Sequence, residues 1–387
     1  MEQRARMLTA GQMAMSVVLV LCAVIFTRNL LSIKTSDPGF DRRNLVMFDL
    51  RPGTVGYPKG RLEQFYFHLE GELAATPGVA QVALATIRPM NIGGWWETIR
   101  LEGRTESEDV TLNGVTPTYL SIYAPRLVAG RNFQWNDSTS GAKVAIVSED
   151  LARKMGGLSV LGRFFSFSDR PPSDPSPKFQ IIGIAPAFAE TSMKERPYVV
   201  WVPLDKESEG VTVVLRTSQP PRVILGAVRT TVANLDRNLP MVDTITMEEQ
   251  ISKGLTRERM FATVCSGFGI LALVLSIVGL YGVIAYNTAR RRGEIGIRLV
   301  LGAEPGGVIR MIVREGMMLV GCGVLLGIPL VWLGAKYVQK ELFQMKPIEP
   351  VSVLLSLGIL LAAAFAAVLI PAVRASMLQP AETLRQD

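Results

Sequence analysis

Four stretches of this chain contain no Asp, Glu, Lys or Arg and are long enough to span a bilayer as helices: residues 7–27, 261–286, 316–335 and 350–373. A hydrocarbon core of about 30 Å takes roughly 20 apolar residues in a helix. No water reaches the backbone at that depth, so a spanning segment must satisfy its own N–H and C=O groups. The first run is diluted by Thr9, Gln12 and Ser16. It is read as a membrane helix and not a cleaved leader, because no small-x-small site follows promptly and Arg28 and Lys34 flank its end. Spanning helices are therefore expected over residues 1–31, 261–286, 311–338 and 350–373. The whole chain is 48% hydrophobic yet 19% charged, which leaves room for a water-facing part of ordinary composition.

Arginine and lysine in the short connections set orientation. Between the second and third runs lie Arg290, Arg291, Arg292, Arg298, Arg310 and Arg314, against Glu294, Glu304 and Glu315. The connection 340–349 carries two lysines and two glutamates. The arginine-rich connection is thus expected in the cytoplasm. Arg4 and Arg6 place the N-terminus there, and Arg374 and Arg385 place the tail there. Residues 32–258 then lie outside. With the arginines so placed, the net charge of +7 points to a membrane surface and not to nucleic acid.

The charge-free runs argue against a carrier driven by protons or ions, which needs an ionisable group at membrane depth. Four helices also enclose a poor lumen, so a dimer is expected. Gly323 and Gly327 form a GxxxG pair, and residues 362–367 (AAAFAA) offer a second small-residue face. Either would let helices approach closely, within the chain or between copies.

The outer segment reads as α/β. Residues 44–52, 80–87, 210–217 and 241–247 have strand composition. Residues 60–79 place Leu62, Phe65, Leu69 and Leu73 at helical spacing, and 221–235 reads as a second helix. Two strand–helix–strand units thus flank a strand-rich middle, 91–206, which suggests one discontinuous subdomain with another inserted into it. Trp95 and Trp96 are read as aromatic core at a strand start, with a contact patch as the alternative. Cys22, Cys265 and Cys322 all fall in apolar runs, so neither a disulfide framework nor a zinc spacing is present. His68 is the single histidine, and no phosphate-binding loop or nucleophile elbow appears. The outer segment reads as a binding or force-bearing module and not as an active site.

The stretch RRRGEIGIRLVLGAEP, residues 290–305, is more than a polar connection. As a helix over 290–301, it sets Arg290, Glu294 and Arg298 four apart on one face, in the favourable Glu-to-Arg order. Ile295, Ile297, Leu299 and Leu301 cover much of the remainder. Gly302 suits a left-handed cap and Pro305 the first turn of the next helix. An interfacial helix whose arginines meet lipid phosphates, and a docking helix for a cytoplasmic protein, both fit.

Residues 290–303 (RRRGEIGIRLVLGA) and 370–387 (IPAVRASMLQPAETLRQD) resemble the MacB/FtsX-like permeases of ABC transporters. So do SDPGFDRRNLVMFDL, GVTPTYLSIYAPRLVAGRNF, KVAIVSEDLARKM and LPMVDTITMEEQISKGLTRERM in the outer segment. The resemblance implies a four-helix transmembrane bundle in the bacterial inner membrane. It implies a periplasmic α/β domain with a porter-like subdomain, around 44–90 and 210–246, and an inserted β-rich one. A second permease copy or homologous half would complete a dimer. A separate ABC-type ATPase would bind the ATP, leaving this chain non-catalytic and without a cofactor or metal of its own. The coupling helix on that ATPase would comprise Arg290, Arg291, Arg292, Glu294, Ile295, Gly296, Ile297, Arg298 and Gly302. ATP-driven mechanotransmission would then export amphiphilic substrates such as antibiotics or lipoproteins, with a periplasmic adaptor and membrane lipids as further partners. Two features depart from the usual pattern. The start resembles the second half of duplicated permeases, so the chain is expected to be half of a larger product or an orphan. GAEPGG also replaces the commoner polar residues after Gly302-Ala303. The reading from another class is a membrane-anchored sensor or scaffold that regulates a periplasmic enzyme without moving substrate.

Overall fold

A computed structural model of the chain describes residues 2–91, 94–138, 143–168, 177–193, 197–205, 207–301, 304–338 and 350–377. Contacts divide the chain into two units, one of Met1–Thr35 with Thr256–Asp387 and one of Ser36–Leu255. The first begins with helix α1 (Glu2–Thr35), and the second follows it in the chain.

The second unit runs β1 (Leu45–Leu50), α2 (Lys59–Ala74), β2 (Val79–Ala85), β3 (Trp95–Leu101), β4 (Ser107–Val115), α3 (Pro117–Tyr123), β5 (Ala129–Gly130), β6 (Lys143–Ser148), α4 (Glu149–Met155), β7 (Phe164–Phe167), β8 (Phe179–Ala185), β9 (Val199–Pro203), β10 (Val211–Thr217), α5 (Pro221–Leu235), β11 (Val242–Thr246) and α6 (Met247–Gly254). One end of its sheet is the antiparallel set β11-β1-β10-β2. Alternation turns Val46, Phe48, Leu50, Val82, Leu84, Val213 and Leu215 to one face. There they meet Leu62, Tyr66, Leu69 and Leu73 of α2 and Ile224, Val228 and Val232 of α5 in one core.

The other strands close on themselves. β4, β3, β7, β8, β6 and β9 pair in that order, and β9 returns to β4 in parallel register. Closure removes the open edges that a six-stranded sheet would otherwise leave. Inside the ring sit Ile99, Val110, Leu112, Phe165, Ile181 and Val200, with Leu151 and Met155 of α4. A single residue pair, Ala85↔Val115, continues the ladder between the two halves. The unit thus holds two cores, with the chain crossing between them near residues 86–91 and 204–210. Trp95 and Trp96 do not enter either core. They are 44% and 52% exposed, because β7 covers β3 only from Ile99 onward.

The helical unit continues with α7 (Thr256–Arg290), α8 (Arg292–Val300), α9 (Pro305–Val338) and α10 (Pro350–Ser376). Within these, four segments are long and apolar enough to cross a membrane: Met7–Thr35, Thr256–Arg290, Pro305–Leu333 and Pro350–Ser376. Cross-helix contacts fix their directions. Ser16 Oγ lies 2.6 Å from Ser276 Oγ, and Phe26 stacks on Phe261, so α1 and α7 are antiparallel. Gly323 meets Met13 and Gly327 meets Val17, so α9 runs parallel to α1. Arg28 donates to Ser352 at 2.7 Å, and Gly316 meets Val368, which sets α10 antiparallel to both α1 and α9. The GxxxG pair is therefore spent on a contact inside the chain. Ala364 and Ala367 lie in the core of the same bundle. Phe268, Leu271, Val278, Leu325 and Leu354 face outward, as a bundle solvated by lipid requires.

Candidate coupling site

The residues 290–301 do not form one helix. Arg290 ends α7, the chain turns at Arg291, and α8 starts at Arg292. Helical hydrogen bonding nearly survives the turn: Arg291 N donates to Asn287 O and Thr288 O at 3.2 Å, and Ile295 N to Arg291 O at 3.0 Å. Four-residue spacing therefore looks continuous in sequence, while the direction changes. The change carries Ile295 inward, where it is 1% exposed and joins the core of Ile284, Val308 and Ile312.

Three polar contacts accompany that anchor. Arg291 Nη1, in the turn before α8, lies 3.3 Å from Glu315 Oε2 on α9. Arg298 Nη2 lies 2.7 Å from Glu294 Oε1 within α8, and its Nη1 lies 3.3 Å from Met311 Sδ on α9. Exposed ion pairs of this kind add well under about 1 kcal/mol each. Two of the three reach α9, one from each side of Ile295. The joint between α7, α8 and α9 leaves a void of only about 10 Å³, at or below the space one water needs. Glu294 and Arg298 thus share a face as the spacing predicts, whereas Arg290 sits on the preceding helix. Gly296 is buried beside Ile295, and Arg292 is exposed. Gly302 lies outside the described residues.

What remains outward is mixed in character. Ile297 is 59% and Leu301 81% exposed, beside exposed Arg290, Arg292, Glu294 and Arg298. The site is therefore a surface, not a pocket: a short helix bolted to two long ones, presenting charge and aliphatic side chains together. The described residues contain no group of His, Cys, Asp and Glu suited to a metal.

A second polar assembly, invisible to spacing rules, lies in the α/β unit. Arg88 is 7% exposed, with Nη2 2.8 Å from Asp49 Oδ1 and Nη1 2.9 Å from Asp243 Oδ2. Next to it, Glu190 is buried and accepts from Asn113 Nδ2 at 2.7 Å and Tyr119 Oη at 2.8 Å. Burial pushes the Glu190 carboxyl up, against the opposing pull of Asn113, Tyr119 and Trp201. On α2, burial raises Glu70 to about 7, opposed by hydroxyls of Thr118 and Thr116.

A family model described as the MacB-like periplasmic core domain matches residues 7–234, and one described as the FtsX-like permease C-terminal matches residues 266–380. The chain belongs to the MacB/FtsX-like permeases of ABC transporters. This permease is 22% identical over 309 residues to the ABC transporter permease YknZ of Bacillus subtilis, covering 74% of this chain and 75% of that protein. It is 25% identical over 254 residues to the macrolide export ATP-binding/permease protein MacB of Shewanella oneidensis, covering 61% of this chain and 37% of that one. The permease thus spans well under half of that longer relative. Among solved structures, it is similar to the periplasmic region of MacB from Actinobacillus actinomycetemcomitans, with 12% identity, TM-score 0.36, and coverage of 56% of this chain and 95% of that one. The extracellular domain of YknZ is also similar, with 20% identity, TM-score 0.35, and coverage of 52% and 100%. The permease is a multi-pass membrane protein with an extracellular α/β domain.

Proposed function

We propose that this permease is a mechanical transmission element driven by an ABC-type ATPase that docks on α8. The observation that carries the reading is the joint itself. α8 is anchored by Ile295 in the bundle core, and the turn leading into it is tied to α9 through Arg291–Glu315, while Ile297 and Leu301 stay exposed. A load on that surface moves two spanning helices with little slack, because close-packed interiors pass displacement on instead of absorbing it. In this reading α8 and both termini face the cytoplasm, the α/β domain lies outside, and a second permease copy completes the assembly. ATP is bound and split by the partner, and this chain supplies the lever. Named relatives include a macrolide exporter, which favours export of amphiphilic molecules as the output.

The test is copurification from membranes of the source organism. An ABC-type ATPase is expected to accompany the wild-type chain, and Ile297→Asp is expected to release it while leaving the permease monodisperse. Recovery of no such ATPase with the wild type, or equal recovery with Ile297→Asp, overturns docking on α8. Orientation has its own check. In a background with Cys22, Cys265 and Cys322 replaced, Glu294→Cys should react with an impermeant thiol reagent only after the cells are opened.

A further inference from the structure

The chain itself joins the outer domain to the spanning helices, and one of these joins is short: α6 ends at Gly254, Leu255 follows, and α7 starts at Thr256. α6 is itself the continuation of β11, an edge strand that among the described residues pairs only with β1. That pairing covers few residues, and its register breaks between Met47 and Asp49. The ladder alone is a weak hold on the segment that leads into α7.

Arg88 supplies another hold. It sits on the connector that leaves β2 for the six-stranded ring. Its guanidinium reaches past β10 and β1 to the start of β11, where it binds Asp243 twice: Nη1 to the carboxylate at 2.9 Å and Nη2 to the main-chain oxygen at 3.0 Å. On the way it pairs with Asp49, which also accepts from Thr212 Oγ1 at 2.7 Å. The same connector is held a second time at Met90. Gln250 of α6 donates to Met90 O at 3.2 Å, and Met90 N donates to Glu190 O at 2.7 Å. Met90 and Asp243, one at each end of this network, both adopt left-handed backbone, with φ of 58° and 49°. Non-glycine residues held there carry strain that the surroundings must enforce. Simple adhesion does not call for such an arrangement. A buried guanidinium costs desolvation that an aliphatic contact would avoid, and what it adds in return is fixed direction.

We propose that Arg88 and Gln250 are the positioning residues that pass displacement of α7, through α6, to the six-stranded ring of the outer domain. The inference rests on the transmission reading above. In it, α6 and the connector move as one body, and the ring follows through the junction where the Ala85↔Val115 ladder pair and the two hydrogen bonds between Ile87 and Asn113 of β4 join the halves of the sheet.

The experiment uses the full chain with its copurified ATPase in native-lipid nanodiscs. Spin labels go at Leu158, in the turn that leads into β7 of the ring, and Val223, on α5, both well exposed. A further labelled chain carries a label at Gly293, exposed on α8 with open space around it, to follow that helix. For the wild type, ATP is expected to shift the 158–223 distance. Arg88→Met with Gln250→Leu is expected to keep the resting distance and the ATP response at 293 but lose the 158–223 shift. Arg88→Lys should recover part of it, which a loss of fold would not. Should the double variant misfold, Gln250→Leu alone, which spares both ion pairs, is expected to halve the shift. A wild type with no ATP-linked shift at 158–223 but a response at 293 leaves the ATPase coupling standing and overturns the link. Silence at both sites overturns the parent reading with it. An undiminished shift in the variants overturns the link alone.

Discussion

Gly323→Ala tests whether the small-residue pair on α9 belongs to a contact inside the chain. A Cβ at Gly323 would overlap Met13 Cβ and lie 3.1 Å from Ala10 O and 3.5 Å from Ala14 N. Carbon atoms at ease sit about 3.5–4.0 Å apart. Met13 Cβ is fixed to the α1 backbone, so no rotamer change relieves the clash, and α1 and α9 must part by roughly an ångström. Overpacking of this sort costs about 1–3 kcal/mol. Against it stands the helix-propensity gain of alanine over glycine, about 1 kcal/mol. Gly321 on the same helix has nothing within 4 Å of its ideal Cβ. Gly321→Ala therefore takes the propensity gain without the clash, and the difference between the two variants isolates the contact. At a few degrees of midpoint per kcal/mol for a chain of this size, Gly323→Ala should melt about 2–8 °C below Gly321→Ala. The assay is the monodisperse fraction left after heating the detergent-solubilised permease. Because the contact is internal, the gap should persist at concentrations where any dimer has dissociated. Equal midpoints, or a gap present only in the dimer, would refute the assignment of this face to α1.

Glu70, raised to about 7 from 4.5 by burial, binds a proton more readily folded than unfolded. It therefore favours the fold at low pH, and that contribution falls away as pH rises through the window from 4.5 to 7. Glu70→Gln should flatten this slope and stabilise the outer domain at pH 8 by up to about 3 kcal/mol, since one pKa unit is about 1.4 kcal/mol. Hydrogen-exchange protection of α2 at pH 5 and 8 reads the difference. A wild-type protection that rises with pH across that window would contradict it. Asp137 behaves oppositely. Arg131 holds its carboxyl below the usual range, so the pair's contribution is present at neutral pH and lost as pH falls; Arg131→Ala should speed proteolysis of the 131–138 segment at about pH 7, and the gap from the wild type should close in acid. Within the bundle, Ser276→Ala removes the partner of Ser16 at 2.6 Å. A cost of about 0.6–2 kcal/mol is expected, the range of hydrogen bonds between membrane helices, read as a lower melting midpoint.

How legible each part was follows from what kind of pattern carries it. The spanning helices announce themselves in composition, because a lipid-facing helix must be apolar all round. Their ends do not: α1 runs on to Thr35 and α7 starts at Thr256, since a helix leaving the bilayer gives no change of period, only of polarity. The strands of the α/β unit show as β-branched runs, and the principal ones are found within a residue or two. β7, four residues long, and β5, two residues long, have too little sequence to carry a period. α3 and α4 span seven residues each, under the length at which helical spacing speaks. Ring closure was beyond reach, since the parallel return of β9 onto β4 joins residues some 88 apart (Thr111↔Val199). Trp95 and Trp96 mislead for a related reason. Aromatic β residues read as core, and only the partial cover by β7 leaves them in water. Around α8, spacing places Glu294 beside Arg298 but cannot reveal the turn at Arg291 or the burial of Ile295. Arg88 gives no local signal at all, because its two carboxylates come from β1 and β11.

The choice between a lipid-binding and a protein-docking surface for α8 turns on how its charges are spent. A helix held on a membrane by phosphates needs cations free on one side and apolar residues buried on the other. Here the buried side is turned into the bundle, with Ile295 and Gly296 inward, so the helix needs no lipid to hide it. Arg298 is engaged by Glu294, and Arg291 by Glu315, which removes net positive charge from the positions nearest the joint. The exposed remainder sets Ile297 and Leu301 among charges of both signs. On the docking reading proposed above, such a surface suits a protein groove with an apolar floor and a charged rim, while exposed Arg290, Arg292, Arg310 and Arg314 are left to meet lipid phosphates or that rim. The two cases differ in salt dependence. Phosphate contacts screen away over a Debye length of about 8 Å at physiological salt, whereas aliphatic burial is unaffected. Release of the ATPase by Ile297→Asp but not by 0.5 M-scale salt would place the greater part of the docking energy on the aliphatic residues. The reverse order would place it on the arginines.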